Sequence, residues 1–91
     1  MIVSFRHRGL RRLYEQGDRS GNPDHAEKIR KILSALEAAE APEELALPGF
    51  HFHRLTGNRR GYFSVTVRAN WRITFRFAQG KAYDVHLEDY H

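Results

Sequence analysis

The residues Glu88-Asp89-Tyr90-His91 gather two carboxylates, a phenol and an imidazole directly after an apolar strand pattern. Such groups donate, accept and pass protons near neutral pH. Upstream, Arg68-Ala69-Asn70-Trp71-Arg72-Ile73-Thr74-Phe75 sets arginines among aromatic and β-branched residues. A guanidinium matches phosphate oxygens in shape and charge. Together these are the groups that cleavage of an RNA phosphodiester by its own 2′-OH requires. A base takes the 2′ proton, a cation meets the charge on the phosphorane, and an acid protonates the leaving 5′ oxygen. Asp89 and His91 are the candidate proton-transfer groups; Arg68 and Arg72 are the candidate phosphate stabilisers. His53 precedes a glycine-bracketed loop and can join them, and Tyr90 and Tyr62 can stack on bases.

Each of these residues also has a plainer reading. Arg72 opposite Glu88 and Arg76 opposite Asp84 fit ordinary cross-strand ion pairs. His86 opposite Thr74 fits a structural role, and Asp89 can satisfy the backbone of the preceding turn. Trp71 reads as core. Six histidines invite thoughts of metal, but His51 and His53 are the only close pair, and no H-E-x-x-H or cysteine site exists. No metal and no cofactor are expected. Gly57 to Gly61 has the wrong length for a phosphate-cradling loop and no following Lys-Ser/Thr.

Composition narrows the class. Ninety-one residues suit one domain, 1–91, with a core of moderate size. The absence of cysteine excludes disulfides and thiolate chemistry and suits a reducing cytoplasm. No apolar run approaches a membrane span, and the start, Met1-Ile2-Val3-Ser4-Phe5-Arg6, lacks the form of a signal peptide. A complete, cytoplasmic chain is expected. The net charge is +4 and the pI about 9.9. Twelve of the fifteen basic residues are arginine, a bias that favours nucleic acid, although a generic basic surface fits it too.

The elements that must position these groups follow from periodicity. Ile2, Val3 and Phe5 suggest a short first strand. Arg6 to Gln16 reads as a helix with Leu10, Leu13 and Tyr14 on one face and Gly17 as its stop. Asn22 as cap and Pro23 at the first helical position open a second helix, whose apolar face is Ala26, Ile29, Ile32, Leu33 and Leu36. Ala41 to Gly49 reads as an irregular connection. From Phe50 the period changes to two. Phe52 and Leu55 belong to a strand. Phe63, Val65 and Val67 face inward on the next, then Trp71, Ile73, Phe75 and Phe77, then Tyr83, Val85 and Leu87.

All three greasy faces must lie on one side of the sheet, which demands odd-length hairpin loops. Three-residue loops at Arg68–Asn70 and Gln79–Lys81 pair Val67 with Trp71, Thr66 with Arg72, Phe77 with Tyr83, Thr74 with His86, and Arg72 with Glu88; five-residue loops also meet the requirement. The helices then cover the apolar face. The polar face becomes a basic floor with His86 in its middle and Asp89, Tyr90 and His91 at one end. The fold class is α+β, two N-terminal helices on one face of a small, mainly antiparallel sheet.

Val67-Arg68-Ala69-Asn70-Trp71-Arg72-Ile73-Thr74-Phe75, Gly57-Asn58-Arg59-Arg60-Gly61-Tyr62 and Glu88-Asp89-Tyr90-His91 resemble the HigB-type toxins of the RelE superfamily. The opening Met1 to Leu10 is similar as well, so the resemblance spans nearly the whole chain. It implies a RelE-like fold and a toxin of a type II toxin–antitoxin operon. It implies a ribosome-dependent mRNA endonuclease that works without a metal in the ribosomal A site. It also implies a helix-turn-helix, HigA-like antitoxin as partner, with operator DNA bound only through that antitoxin. Carried over by position, the functional residues are His53, Arg68, Asn70, Arg72, Asp89, Tyr90 and His91. RNA contacts are expected from Arg54, Arg59, Asn70 and Tyr62. The H-x-L-K-G of some relatives reads His53-Arg54-Leu55-Thr56-Gly57 here, so Thr56 supplies no cation, and Arg54 or Arg59 is a candidate substitute. The competing readings are a toxin of this fold that inhibits DNA gyrase, and a non-catalytic RNA-binding regulator. Neither needs the Asp-Tyr-His ending.

Overall fold

The computed structural model describes residues 1–17 and 25–89. Helix α1 is Arg8–Gln16 and helix α2 is Ala26–Ala38. The sheet comprises β1 (His53–Arg54), β2 (Tyr62–Arg68), β3 (Trp71–Ala78) and β4 (Lys81–Asp89). The strands pair antiparallel in chain order. This is the expected α+β arrangement. The cap expected at Asn22 and Pro23 lies outside the described residues.

Helix α1 begins two residues later than Arg6 because His7 caps it. The His7 Nδ1 accepts the Leu10 N–H at 3.1 Å, satisfying a donor that the first turn leaves open. The imidazole leans over Gly9, where an added Cβ would lie 2.9 Å from its Cε1. Leu10 and Leu13 turn inward. They meet Ile29, Ile32, Leu33 and Leu36 of α2 and Val65, Ile73, Phe75 and Val85 of the sheet in one core. Each large side chain fully buried there contributes about 1.5–3 kcal/mol. The connection after α2 is more ordered than its composition suggests. A 3₁₀ turn at Pro42–Leu45 drives Leu45 to complete burial.

The N-terminal segment runs parallel to β4, through bridges at Ile2–Ala82 and Phe5–Val85. It does not form a continuous strand because β4 bulges between the two bridges. Ser4 fills the gap: its Oγ accepts the Asp84 N–H at 2.9 Å and its carbonyl accepts the Val85 N–H at 3.1 Å.

Both hairpins depart from the expected loops in the same way. Gln79-Gly80 is a two-residue loop, with Ala78 opposite Lys81 and Phe77 opposite Ala82. An even loop would put the apolar set of β4 on the wrong face. The register shifts between Thr74 and Arg76, so that Asp84 and Val85 share the place opposite Phe75. Asp84 takes a φ of 55°, within the reach of Asp in a bulge. Beyond it the expected pairs Thr74–His86 and Arg72–Glu88 are present. Tyr83, expected inside, therefore faces out under Arg76, whose Cζ lies 5.5 Å from the ring centroid. Ala82 is buried in its stead.

At the other hairpin Ala69-Asn70 is the loop, Arg68 pairs with Trp71, and Val67 is the extra residue before Thr66–Arg72. Trp71, expected in the core, is 41% exposed. Phe77 is only partly buried against the core.

The Gln79-Gly80 loop has φ of 53° and 77°, the left-handed pair that favours Asn-Gly in tight hairpins. Gln79→Asn is expected to raise the melting temperature. Gly80→Ala is expected to destabilise by roughly 1–2 kcal/mol. Thermal denaturation followed by circular dichroism checks both.

Candidate functional site

The polar face of the sheet is a cleft of about 550 Å³. Cross-strand register builds its floor: His53 pairs with Ser64, Ser64 with Thr74, and Thr74 with His86. The next row along the sheet is Thr66, Arg72 and Glu88. Residues 54–59 wall the β1 side through Arg54, Leu55, Thr56, Asn58 and Arg59. His53 is exposed at the rim and Arg72 is half-buried in the floor. Ser64 is 1% exposed, and its Oγ has no hydrogen-bond partner among the described residues. A buried hydroxyl facing a polar cleft in this way is an available donor and acceptor.

The charges in the cleft are largely matched. Arg59 donates to both oxygens of Glu88, at 3.1 and 2.7 Å, and lies over the Tyr62 ring at 5.3 Å. Thr74 Oγ1 donates to the same carboxylate. The Arg59 hydrogen bonds, aided by Thr74, hold the Glu88 carboxyl below its usual range against the opposing effect of burial. Arg54 pairs with Glu43 and lies 5.5 Å from the Phe63 centroid. Arg76 and Asp84 form the expected ion pair, at 2.9 Å, outside the cleft.

The cleft thus brings together His53, Arg54, Arg59 and Arg72, with Tyr62 beneath Arg59. Asp89 ends β4, exposed and opposite Trp71. Asn70 is exposed in the adjoining turn. Tyr90 and His91 lie outside the described residues. Arg68 falls elsewhere, in a second recess of about 600 Å³ with Lys28, Lys31, Phe50 and Val67. The Val67 bulge breaks the Ser64–Thr66 alternation that would otherwise carry Arg68 to the cleft. Glu88, expected as a cross-strand partner of Arg72, and Thr74 and Ser64, which carry no expected site role, also line the cleft. Their polar-face positions were visible in the alternation. The Arg59 partner of Glu88 was not, since 29 residues separate them. Among the described residues no three His, Cys, Asp or Glu side chains form a possible metal group, and no helix is long and apolar enough to cross a membrane.

The family profile described as "RelE-like toxin of type II toxin-antitoxin system HigB" matches residues 3–91. The chain belongs to the HigB-like toxin family. It is 48% identical over 92 residues to "Endoribonuclease HigB" of Proteus vulgaris, covering 100% of both chains. It is 31% identical to "Toxin HigB-1" of Vibrio cholerae serotype O1, covering 97% of this chain and 96% of that one. The two helices and four-stranded antiparallel sheet fit RelE-like toxins, and membership of a type II system implies an antitoxin partner.

At the β4 side of the polar face, the His7 and His86 rings lie 5.9 Å apart. Burial lowers the pKa of His7, and the neighbouring His86 adds to the effect. Burial likewise lowers His86, with Glu88 opposing and Arg6 and Arg59 assisting. Both histidines start from 6.5, so the unfolded chain binds more protons than the folded one around and below that pH. Stability should fall as pH drops through 6.5, and the loss is complete below the folded pKa values. Glu88 acts later: its contribution is present above 4.5 and is lost as pH falls through its depressed folded value. Thermal melts from pH 7.5 to about 3 should show these successive acid losses. His7→Asn, which keeps a capping acceptor and removes one titration, should shrink the first.

Proposed function

We propose that this HigB-family toxin is an endoribonuclease that cuts translated mRNA by attack of the substrate's 2′-OH on the adjacent phosphate. The observation that carries the reading is the polar cleft lined by the His53 imidazole at its rim and the Arg72 guanidinium in its floor, with Asp89 ending the strand beside β3. The name of the Proteus vulgaris relative, 48% identical over the full length, supports the same activity.

In this mechanism Arg72 carries the charge that builds on the phosphorane oxygens. A half-buried guanidinium is suited to this because a drier site strengthens its attraction for the anion and its fork fixes orientation. His53, Asp89 and His91 supply the base that takes the 2′ proton and the acid that protonates the 5′ oxygen. The O2′–P bond forms and the P–O5′ bond breaks, leaving a 2′,3′-cyclic phosphate and a 5′-hydroxyl. Water is not consumed in this step, and the guanidinium supplies the positive charge that a metal otherwise would. Tyr90 and Asn70 contact the bases. Arg68, from the second recess, meets RNA backbone away from the reacting phosphate. The substrate is mRNA in the A site of the 70S ribosome. The antitoxin is a HigA-like helix-turn-helix protein through which the pair reaches operator DNA. The whole chain acts as one domain in the cytoplasm.

Induction in cells should arrest growth, and primer extension should find cuts within codons of translated messages. Intact messages with altered DNA supercoiling would instead assign the toxin to gyrase. Arg72→Ala should lower the cleavage rate by about 100- to 1,000-fold, as loss of a transition-state donor does. A ribosome-bound message with one 2′-deoxy sugar just before the scissile phosphate should resist cleavage. Efficient cutting of that message would make water the nucleophile.

A further inference from the structure

Glu88 lies one residue before Asp89, and its side chain is 22% exposed. Three hydrogen bonds converge on its carboxylate from two other elements: two from Arg59 in the turn at Gly57–Arg59 and one from Thr74 of β3. Arg59 starts beyond β1, so reaching β4 takes its guanidinium across the polar face, where Tyr62 supports it at 5.3 Å. The Thr74 residue is 4% exposed and its hydroxyl is fixed on the same oxygen. A two-point fork fixes direction as well as distance. The end of a strand otherwise frays, and Asp89 follows Glu88 immediately, on an exposed site.

We propose that Arg59, Glu88 and Thr74 form a positioning clamp that fixes the end of β4 through the cleft residue Glu88, and with it the neighbouring Asp89. Arg59 is then a positioning residue and not the RNA-contacting cation that the sequence suggests. The inference rests on the reading of Asp89 as a proton-transfer group. It contrasts with a role in RNA affinity, in which Arg59 would attract phosphate and Glu88 would compete with it. The two roles predict opposite effects of removing the Glu88 charge.

The test uses the full chain with Glu88→Gln, Arg59→Gln and Arg59→Lys, beside Arg76→Gln as a control on an ion pair outside the cleft. Cleavage of a defined message in a translating extract gives kcat and KM. Acrylamide quenching of Trp71 gives a second readout that does not need activity, because this sole tryptophan pairs with Asp89. The clamp predicts that Glu88→Gln and Arg59→Gln each lower kcat, by up to about 100-fold as misplacement of a catalytic group does, with KM nearly unchanged. Both should alter Trp71 quenching. Arg59→Lys should recover part of kcat, and Arg76→Gln should leave both readouts as in the wild type. A raised KM with kcat intact in Arg59→Gln, together with equal or faster cleavage by Glu88→Gln, would overturn the clamp in favour of RNA contact. Should Glu88→Gln fail to fold, Arg59→Lys, which keeps the charge and loses the fork, decides on the same readouts. If the wild-type chain cuts no RNA, the nuclease reading falls. Quenching then decides the clamp alone: a change in Glu88→Gln supports it, and wild-type quenching in both variants overturns it.

Discussion

Side chains alternate between the two faces of a strand, so a slip of one residue moves every functional group to the wrong side. This constraint governs the cleft. Ser64, Thr74 and His86 align across three strands, and Thr66, Arg72 and Glu88 align beside them. Both hairpins turn through two residues, which by itself would break this alignment. Each is restored by one extra residue, Val67 in β2 and the Asp84–Val85 step in β4. The bulges let tight turns coexist with a single apolar face. Without them either the core or the cleft would lose its side chains. The N-terminal segment shares in the arrangement, because Ser4 satisfies the backbone N–H groups at the β4 bulge.

The bulge at Val67 also places the arginines of this hairpin in two different recesses. Simple alternation places Arg68 and Arg72 on one floor. The extra residue at Val67 leaves Arg72 there and turns Arg68 toward Lys28 and Lys31 near the start of α2. It also puts Trp71 at the exposed end of β3, opposite Arg68 and Asp89. One local change in register thus accounts for two departures from the sequence pattern that look unrelated.

Much of the architecture was readable from spacing. Leu10 and Leu13, then Ile29, Ile32, Leu33 and Leu36, mark the buried faces of the helices, and Phe63, Val65, Ile73 and Phe75 mark the inner face of the sheet. These signals are local and repeat, so they survive without knowledge of the fold. The pairs Thr74–His86 and Arg72–Glu88 were also legible, because the requirement for one apolar face fixes the register far from the loops. What escaped was the mechanism that meets the requirement. Loop length and bulge compensate each other, and only the pairing near the turn separates a three-residue loop from a two-residue loop plus a bulge. Tyr83 and Trp71 were misplaced for that reason. Leu45 escaped because a single buried leucine in a 3₁₀ turn has no period to reveal it.

Electrostatics alter the cleft more than residue types suggest. Counting cations gives Arg54, Arg59 and Arg72 around one floor, an apparent excess of positive charge for a polyanion. In the folded chain Arg54 faces Glu43 and Arg59 faces Glu88. The long side chains gain orientation, while exposed or half-exposed pairs of this kind add only about 0–1 kcal/mol to stability. Their larger effect is to cancel charge that would otherwise act at long range. Thr56, on the same wall, adds no cation. The field in this cleft is therefore shaped by Arg72 and by carboxylates already engaged, with Arg68, Lys28 and Lys31 in a separate recess. The basic side chains of the cleft and of the recess thereby lie on different surfaces. A cation paired with a carboxylate acts over a shorter range than an unmatched one, so the reach of the field depends on how the side chains pair and not on their number.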